Sequence, residues 1–190
     1  MRNRKLIVGA ACLVVAIGAY VAIFSSSRAA FRDMPGLIRE VQQLNELVSV
    51  KYSIQKVVGL KEDKVPFGSE SILLVVQGTV LGGVDLKNLQ ERDIGVDGKV
   101  VSVRLPQANI LHVYLDDKLT QVWDRRITWW TPWVPFNPDF ERKARLEAVE
   151  SIRKQAEEMG ILRDAKRNAE QTLERLLKAL GAGEVRFMPS

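Results

Sequence analysis

An uninterrupted apolar segment near the N-terminus constrains this chain more than any other feature of its sequence. Leu6 to Phe24 contains 19 residues and no charged side chain. A helix rises about 1.5 Å per residue, so this segment approaches the roughly 30 Å thickness of a bilayer's hydrocarbon core. The apolar core of a cleaved signal peptide is shorter, at about 7–15 residues. The sequence therefore predicts a retained transmembrane helix, although the small residues Ser25–Ser27 and Ala29–Ala30 would also suit cleavage.

Basic residues on the two sides of this segment predict its orientation. Three precede it and two follow it: Arg2, Arg4 and Lys5, then Arg28 and Arg32. Cytoplasmic flanks of membrane helices are enriched in Lys and Arg. We therefore expect a single-pass protein of the cell membrane with a cytoplasmic N-terminus. Residues 1–33 then form the anchor and its flanks, and residues 34–190 form a soluble domain outside the cytoplasm.

The predicted soluble domain is nearly neutral, which limits its partners. It holds 23 Lys and Arg against 22 Asp and Glu, a net charge of +1. A nucleic-acid-binding domain needs a concentrated basic surface, and the sequence gives no sign of one. The only cysteine, Cys12, lies in the apolar segment, so the domain can form neither an internal disulfide nor a cysteine-ligated metal site.

Hydrophobic periodicity predicts the first half of the domain. Leu37 to Val48 has apolar residues at helical spacing and predicts a short amphipathic helix. Val48 to Ile54 alternates apolar and polar residues, as a half-buried strand does. Leu60 to Ser69 is charged and contains proline and glycine, which indicates a loop. Ile72 to Val76 is continuously apolar and predicts a strand that is buried on both faces.

Turn signals predict how the next strands connect. Asp85 is a suitable cap for one helical turn. Asp97-Gly98 lies between two apolar runs, which favours a two-residue hairpin with positive φ at both central positions. Gly78 and Gly82-Gly83 suggest a bulge or a close backbone approach. Together these signals predict an antiparallel meander from Ser71 to Leu115.

The C-terminal part is predicted to be helical. From Pro138 to Leu180, apolar residues recur at spacings of three and four. Gly160 either separates two helices or weakens one long helix, and the spacing stays in phase across it. Val185 to Phe187 can add a short last strand. The expected fold is α+β: a mainly antiparallel sheet with a C-terminal helix or helix pair, preceded by the transmembrane helix.

Candidate catalytic residues are few. His112 is the only histidine, and its place in a predicted strand favours a packed or hydrogen-bonded side chain over a catalytic one. Paired carboxylates can perform acid–base chemistry or bind a hard cation. Turn and capping roles already account for most of the acidic side chains of the sheet region. We therefore assign no catalytic, cofactor or metal residue, and no small-molecule ligand. The acidic side chains considered were Asp85, Asp93, Asp97, Asp116, Asp117 and Asp124.

The tryptophan segment, Trp129 to Phe136, is the most unusual part of the domain. It contains Trp129, Trp130, Trp133 and Phe136, and its prolines exclude a regular helix or a central strand. Trp side chains favour the membrane–water interface. Exposed aromatic side chains also form protein-binding sites. The segment can therefore cover the core, contact the bilayer or bind a partner.

Several local motifs resemble those of a bacterial family catalogued as domain of unknown function 4230. The resemblance covers roughly Leu47 to Phe187. Members are similar in having an N-terminal anchor, and the family implies no activity and no functional residue. Its most specific parts here are Gly78, Val84-Asp85-Leu86, Leu105-Pro106, Gly160-Ile161-Leu162 and Asn168-Ala169.

These observations favour a non-enzymatic function. The leading hypothesis is a membrane-tethered interaction or scaffold module that contacts the bilayer through Leu6 to Phe24. Its partner is another protein or a second copy of the chain, and the tryptophan segment and the helical stripe are the candidate contact surfaces. The alternative is a membrane-anchored hydrolase or metal-dependent enzyme that uses Asp side chains.

Overall fold

The computed structural model describes residues 36, 41, 43–64, 68–128 and 137–189. The predicted anchor, Leu6 to Phe24, and the tryptophan segment both lie outside these ranges. Within them, no helix is both long and apolar enough to cross a bilayer. The elements are, in chain order, β1 Glu46–Asp63, β2 Ser69–Asp85, β3 Ile94–Asp97, β4 Val100–Arg104, β5 Ala108–Leu115, β6 Gln121–Ile127, α1 Phe140–Glu158, α2 Ile161–Ala179 and β7 Glu184–Met188.

A long antiparallel sheet forms the main layer, and β2 is its central strand. β1 pairs with one side of β2, and β5 and β6 pair end to end with the other side. The β1–β2 register runs unbroken from Val50 opposite Gly82 to Asp63 opposite Ser69. At about 3.3 Å per residue, β2 is about 55 Å long. We call the end near Asp63 and Ser69 the tip, and the end near Glu46 and Asp85 the base.

Two helices cover one face of this sheet. Alternate residues of β2, from Glu70 to Gly82, are buried beneath them. Each helix has 19 residues, so the pair extends about 57 Å and matches the sheet in length. Helix α1 packs on the tip half through Ile152, which approaches Gly78 closely. Helix α2 begins over Gly82, and Gly160 separates the two helices with a φ of 88°.

The base carries a second, smaller sheet. β3 and β4 form an antiparallel hairpin, and β7 pairs with β4 in parallel. The second half of α2 packs against this sheet and the end of β2. The base core contains Val84, Leu86, Leu89, Ile94, Val101, Val103, Leu105, Ala169, Leu173 and Leu177, among others. The tip core contains Ile54, Val58, Ile72, Leu74, Val76, Val80, Phe140, Ala144, Ala148, Ile152, Ala156 and Ile161.

The α+β class, the mainly antiparallel pairing and the C-terminal helix pair are confirmed. The predicted meander is wrong in its connection, because β3 and β4 leave the long sheet before β5 returns to β2. The predicted loop from Leu60 to Ser69 is also wrong for its first four residues and for Ser69, which begins β2. β1 continues to Asp63, because a strand with one open face accommodates charged side chains. Strand β6 was not predicted.

The β3–β4 hairpin is confirmed, but its turn is displaced by one residue. Asp97 pairs with Val100, so the central residues are Gly98 and Lys99. Gly98 has a φ of 60°, whereas Lys99 is not among the residues with positive φ. Glycine at the first central position is typical of a type II′ turn, which needs positive φ only there.

Candidate functional site

The predicted contact residues Trp129, Trp130, Trp133 and Phe136 lie outside the described residues, but both ends of their segment are described. Thr128 precedes the segment, and its backbone N–H donates to the carbonyl oxygen of Ser69 at 3.0 Å. The Ser69 and Thr128 hydroxyl oxygens are 3.2 Å apart. The segment therefore leaves the long sheet at its tip, beside the first residue of β2.

The segment returns at Asn137, which is fixed by a buried carboxylate. The Glu70 side chain is 0% exposed and lies on the helix-covered side of β2. Arg125 of β6 donates to Glu70 Oε1 from Nε at 3.0 Å and from Nη2 at 2.6 Å. Lys64 Nζ lies 2.8 Å from Glu70 Oε2, and the backbone N–H of Asn137 donates to the same oxygen at 3.3 Å. We call Lys64, Glu70, Arg125 and Asn137 the Glu70 cluster.

A second carboxylate extends the cluster onto α1. Asn137 Nδ2 donates to Glu62 Oε2 at 3.0 Å, and Lys143 Nζ donates to Glu62 Oε1 at 3.0 Å. Arg125 Nη2 also donates to the carbonyl oxygen of Asn137 at 3.0 Å. The backbone N–H, the side-chain amide and the backbone carbonyl of Asn137 therefore all form hydrogen bonds to these charged side chains. Asn137, the residue directly after the tryptophan segment, is thus hydrogen-bonded to β1, β2 and β6.

Opposing effects set the pKa of Glu70. Burial alone would raise it, because an ionised carboxylate loses its hydration there. Hydrogen bonds from Lys64, Arg125 and the Asn137 backbone outweigh burial, and the pKa is lowered. The pKa of Glu62 is also lowered, mainly by the hydrogen bonds from Lys143 and Asn137. Both groups are thus ionised at neutral pH. Lowered pKa values suit carboxylates that form structural ion pairs better than carboxylates that transfer protons.

The sequence analysis missed the Glu70 cluster. Its members come from positions far apart in the chain, and each looks like an ordinary surface residue. One signal was available, because Glu70 has the same strand phase as Ile72 and Leu74, which are buried. An acidic residue on the buried face of a strand requires a partner. The strand pattern therefore predicts that the Glu70 carboxylate is buried, whereas its cationic partners are known only from the fold.

Of the two non-catalytic roles expected for His112, the structure shows a hydrogen-bonded side chain and not a packed one. Its side chain is 57% exposed, and Nε2 lies 3.2 Å from Glu46 Oε2 near the base. No serine or cysteine is recorded as its hydrogen-bond partner among the described residues. The exposed ring forms one surface contact, and the geometry gives no catalytic arrangement around it.

The acidic side chains considered above are dispersed. Asp85 accepts from the backbone N–H of Lys87 at 3.0 Å and so caps the turn Leu86–Asn88, as predicted. Asp116 accepts from the backbone N–H of Lys118, and Asp124 pairs with Arg126. Within the described ranges, no three acidic, histidine or cysteine side chains come together as metal ligands.

Comparison with known protein families identifies the chain's relatives. A family described as a protein of unknown function, DUF4230, matches residues 39–187. The chain belongs to the DUF4230 family. No curated protein and no solved structure matches it. The match begins after the predicted anchor and covers β1 to β6, both helices α1 and α2, and β7 except for its last residue, Met188. It confirms the resemblance given by the sequence motifs.

The structure explains some of the motifs that this DUF4230 chain presents. Gly78 lies where α1 contacts the long sheet, and a Cβ atom there would be 2.5 Å from Ile152 Cδ1. Asn168 Nδ2 donates to the carbonyl oxygen of Ser49 at 3.1 Å, and the Ser49 hydroxyl donates to the carbonyl oxygen of Ala165 at 2.8 Å. These contacts position the helices on the sheet, so the motifs serve the fold.

Proposed function

We propose that the chain is a single-pass, membrane-tethered interaction module without enzymatic activity. Its soluble domain lies outside the cytoplasm, and the tryptophan segment is its contact surface. The Glu70 cluster is the observation that carries this proposal. A buried carboxylate with two cationic partners accepts a hydrogen bond from Asn137, the residue directly after the segment. Hydrogen bonds that fix the chain beside an aromatic segment are expected where that segment binds a partner from a fixed position.

The bilayer is the contact that we propose for this segment. Trp rings combine an apolar surface with a polar N–H, which suits the headgroup region. The tip lies about 55 Å from the base along the strands, and Val41, one of the first described residues after the predicted anchor, packs in the base core. For the tip to reach the bilayer, the long axis of the domain must lie along the membrane. The anchor and the tryptophan segment then hold the two ends of the domain on one surface.

Fluorescence quenching by brominated lipids tests this contact in the full-length chain. The chain has four tryptophans, and Trp123 is 76% exposed on β6. With Trp123 changed to Phe, all emission comes from Trp129, Trp130 and Trp133. We expect lipids with bromine near the headgroup to quench this emission in reconstituted vesicles. A matched variant that keeps Trp123 and has Phe at the other three positions is the control.

Quenching of the three tryptophans that is no stronger than quenching of Trp123 would show that the segment does not contact the bilayer. The interaction-module proposal would then stand only with a protein partner at the segment.

Topology is tested separately with a reporter fused after Ser190. The greater number of basic residues before Leu6 predicts that the reporter lies outside the cytoplasm. Activity of a fused reporter that functions only in the cytoplasm would contradict this orientation. The matched control removes the positive side chains before the segment: changing Arg2, Arg4 and Lys5 to Gln should weaken the orientation preference.

A further inference from the structure

The outer edge of β1 offers a long row of backbone hydrogen-bonding groups. β1 pairs with β2 on one side, and no described strand pairs with its other side. At the base end, Asn168 and Ala165 of α2 hold Ser49 and so cover the edge there. At the tip end, the chain turns after Asp63. The free edge therefore runs from Lys51 to Asp63.

The hydrogen bonds around β2 show which β1 residues point outward. Lys64 N–H donates to the carbonyl oxygen of Gly68 at 2.9 Å, which makes them a hydrogen-bonded pair. On the other side of β2, the carbonyl oxygens of Ser69 and Gln77 accept from Thr128 and Asp116. Bonded and non-bonded pairs alternate along an antiparallel ladder. The even-numbered residues of β1 therefore bond to β2, and the odd-numbered residues direct their backbone groups outward.

These outward residues are all exposed, and none is proline. Their N–H and C=O groups form a regular template that another extended chain can satisfy. Charged side chains often protect such edges, and lysines occur here too. The positions and signs of the charges on β1 therefore determine which strand can pair with this edge. The outward residues are Lys51, Ser53, Gln55, Val57, Gly59, Lys61 and Asp63.

A second copy of the same strand fits this edge. In antiparallel self-pairing centred on Val57, every outward residue is opposite another outward residue. Lys51 is then opposite Asp63 of the second copy, and the same ion pair recurs at the other end by symmetry. Val57, which is 61% exposed, is opposite its own copy. Opposite charges and apolar pairs directly across two strands are stabilising. No like charges are opposed anywhere in this register.

We propose that the chain forms a two-fold symmetric dimer through the outer edges of two β1 strands. The long sheets join into one continuous sheet, and the helices of both copies lie on the same face of it. Identical surface patches that pair about a two-fold axis give a closed dimer, whereas an unprotected edge promotes open-ended association. This proposal depends neither on the tryptophan segment nor on the anchor.

Disulfide cross-linking tests the register in full-length protein in detergent. Cys12 is the only cysteine, so Cys12→Ala gives a clean background. A hydrogen-bonded antiparallel pair has Cα atoms about 5.5 Å apart, within the range that a disulfide spans. Val57→Cys should therefore form a covalent dimer on mild oxidation. Ser53→Cys alone and Lys61→Cys alone should not, because each lies about 26 Å from its own copy. An equal mixture of these two variants should cross-link.

A proline substitution tests whether the edge holds the dimer together. The Val57 N–H points outward, so Val57→Pro should preserve the β1–β2 ladder while it blocks the edge. We expect this variant to keep its circular dichroism spectrum and to sediment as a monomer. Lys56→Pro is the matched control, because it removes an N–H that bonds to β2 and should disrupt folding.

Three results would overturn the proposal: a wild-type chain that sediments as a monomer, a dimer that survives Val57→Pro, or Val57→Cys chains that do not cross-link. A monomer that binds a foreign extended peptide along β1 would assign the edge to another protein.

Discussion

At the scale of single residues, Glu70 links β2 to β6 and to Asn137 at the tip. Its two cationic partners are themselves only 14% and 27% exposed. Glu70→Gln removes the carboxylate and with it the ion pairs that Glu70 forms with Lys64 and Arg125. Breaking one side of a buried ion pair is strongly unfavourable, so we expect the free energy of unfolding to fall by about 2–3 kcal/mol. Urea unfolding of the full-length chain in detergent at pH 7 measures it, with the exposed Glu158→Gln as control.

The pH dependence of the same variant follows from the lowered pKa of Glu70. Its ionised form is favoured in the folded state, so its contribution to stability is complete above the pKa of an unfolded Glu, about 4.3. The contribution is lost as the pH falls through the lower pKa of the folded state. The difference between the wild-type chain and Glu70→Gln should therefore shrink below about pH 4.3. A difference that stays constant down to pH 3 would contradict the assigned ionisation.

Gly78 provides a second residue-scale prediction. A Cβ atom there would lie 2.5 Å from Cδ1 of Ile152, and Ile152 is fully buried. Gly78→Ala should lower the free energy of unfolding by about 1–3 kcal/mol, because the buried side chain of Ile152 leaves no space for the added methyl group. Ile152→Val removes that Cδ1 atom. In the Ile152→Val background, Gly78→Ala should cost clearly less, which a double-mutant cycle of unfolding measurements would reveal. Additive losses would show that the two side chains do not meet.

The residue scale also shows what sequence reasoning can and cannot reach. The capping role of Asp85 was predictable, because its acceptor bond goes to Lys87, two positions away. The Glu70 cluster was not, because Arg125 and Asn137 are 55 and 67 positions from Glu70. Local chemistry fixes a cap, whereas a buried ion pair depends on which strands become neighbours.

At the scale of elements, Gly160 forms the break between helices α1 and α2. Its φ of 88° is in the left-handed region, which costs a residue with a Cβ atom about 1–2 kcal/mol. Gly160→Ala should therefore reduce the free energy of unfolding by about 1 kcal/mol. Gly160→Asn should reduce it less, because Asn tolerates this conformation better. Equal losses for both variants in urea unfolding would indicate that backbone conformation is not the cause.

Elements were predicted well where one strong local signal dominates them. The β3–β4 hairpin follows from a glycine turn, and β7 follows from a short apolar run after the last helix. β6 was missed because Asp124, Arg125 and Arg126 interrupt its alternation. One of those charges is used inside the tip, where it pairs with Glu70. A charged residue at an inward position, here the partly buried Arg125, therefore hid the strand pattern of β6.

At the scale of the whole molecule, the prediction of a simple meander failed for a reason that lies outside any single segment. β2 is long enough to pair with two different strands on the same side, β5 near the base and β6 near the tip. The hairpin β3–β4 between β2 and β5 could then join α2 and β7 in a separate layer. Nothing in the local pattern of Ile94 to Arg104 distinguishes these two sheets, because both offer a hydrophobic face.

The same long strands predict that the two cores unfold together. β1 and β2 run from one core to the other and stay paired along their length, with one register shift between Val48 and Val50. Helix α2 begins in the tip core at Ile161 and ends in the base core at Leu177. A break between the cores would cut both strands and expose a helix that serves each of them. We therefore expect a single cooperative unit with one unfolding transition, as small domains usually show.

Hydrogen exchange with mass spectrometry, on the full-length chain in detergent, can measure this coupling at both ends. Leu74→Ala in the tip core and Leu173→Ala in the base core should each lower the free energy of unfolding by about 2–5 kcal/mol. If the unit is cooperative, Leu74→Ala also accelerates exchange in β4 and the second half of α2, where it makes no contact. Leu173→Ala likewise accelerates exchange at the tip, in β6 and the first half of α1. Faster exchange confined to the mutated end would mean that tip and base unfold separately. The Glu70 cluster would then stabilise only the tip and the ends of the tryptophan segment.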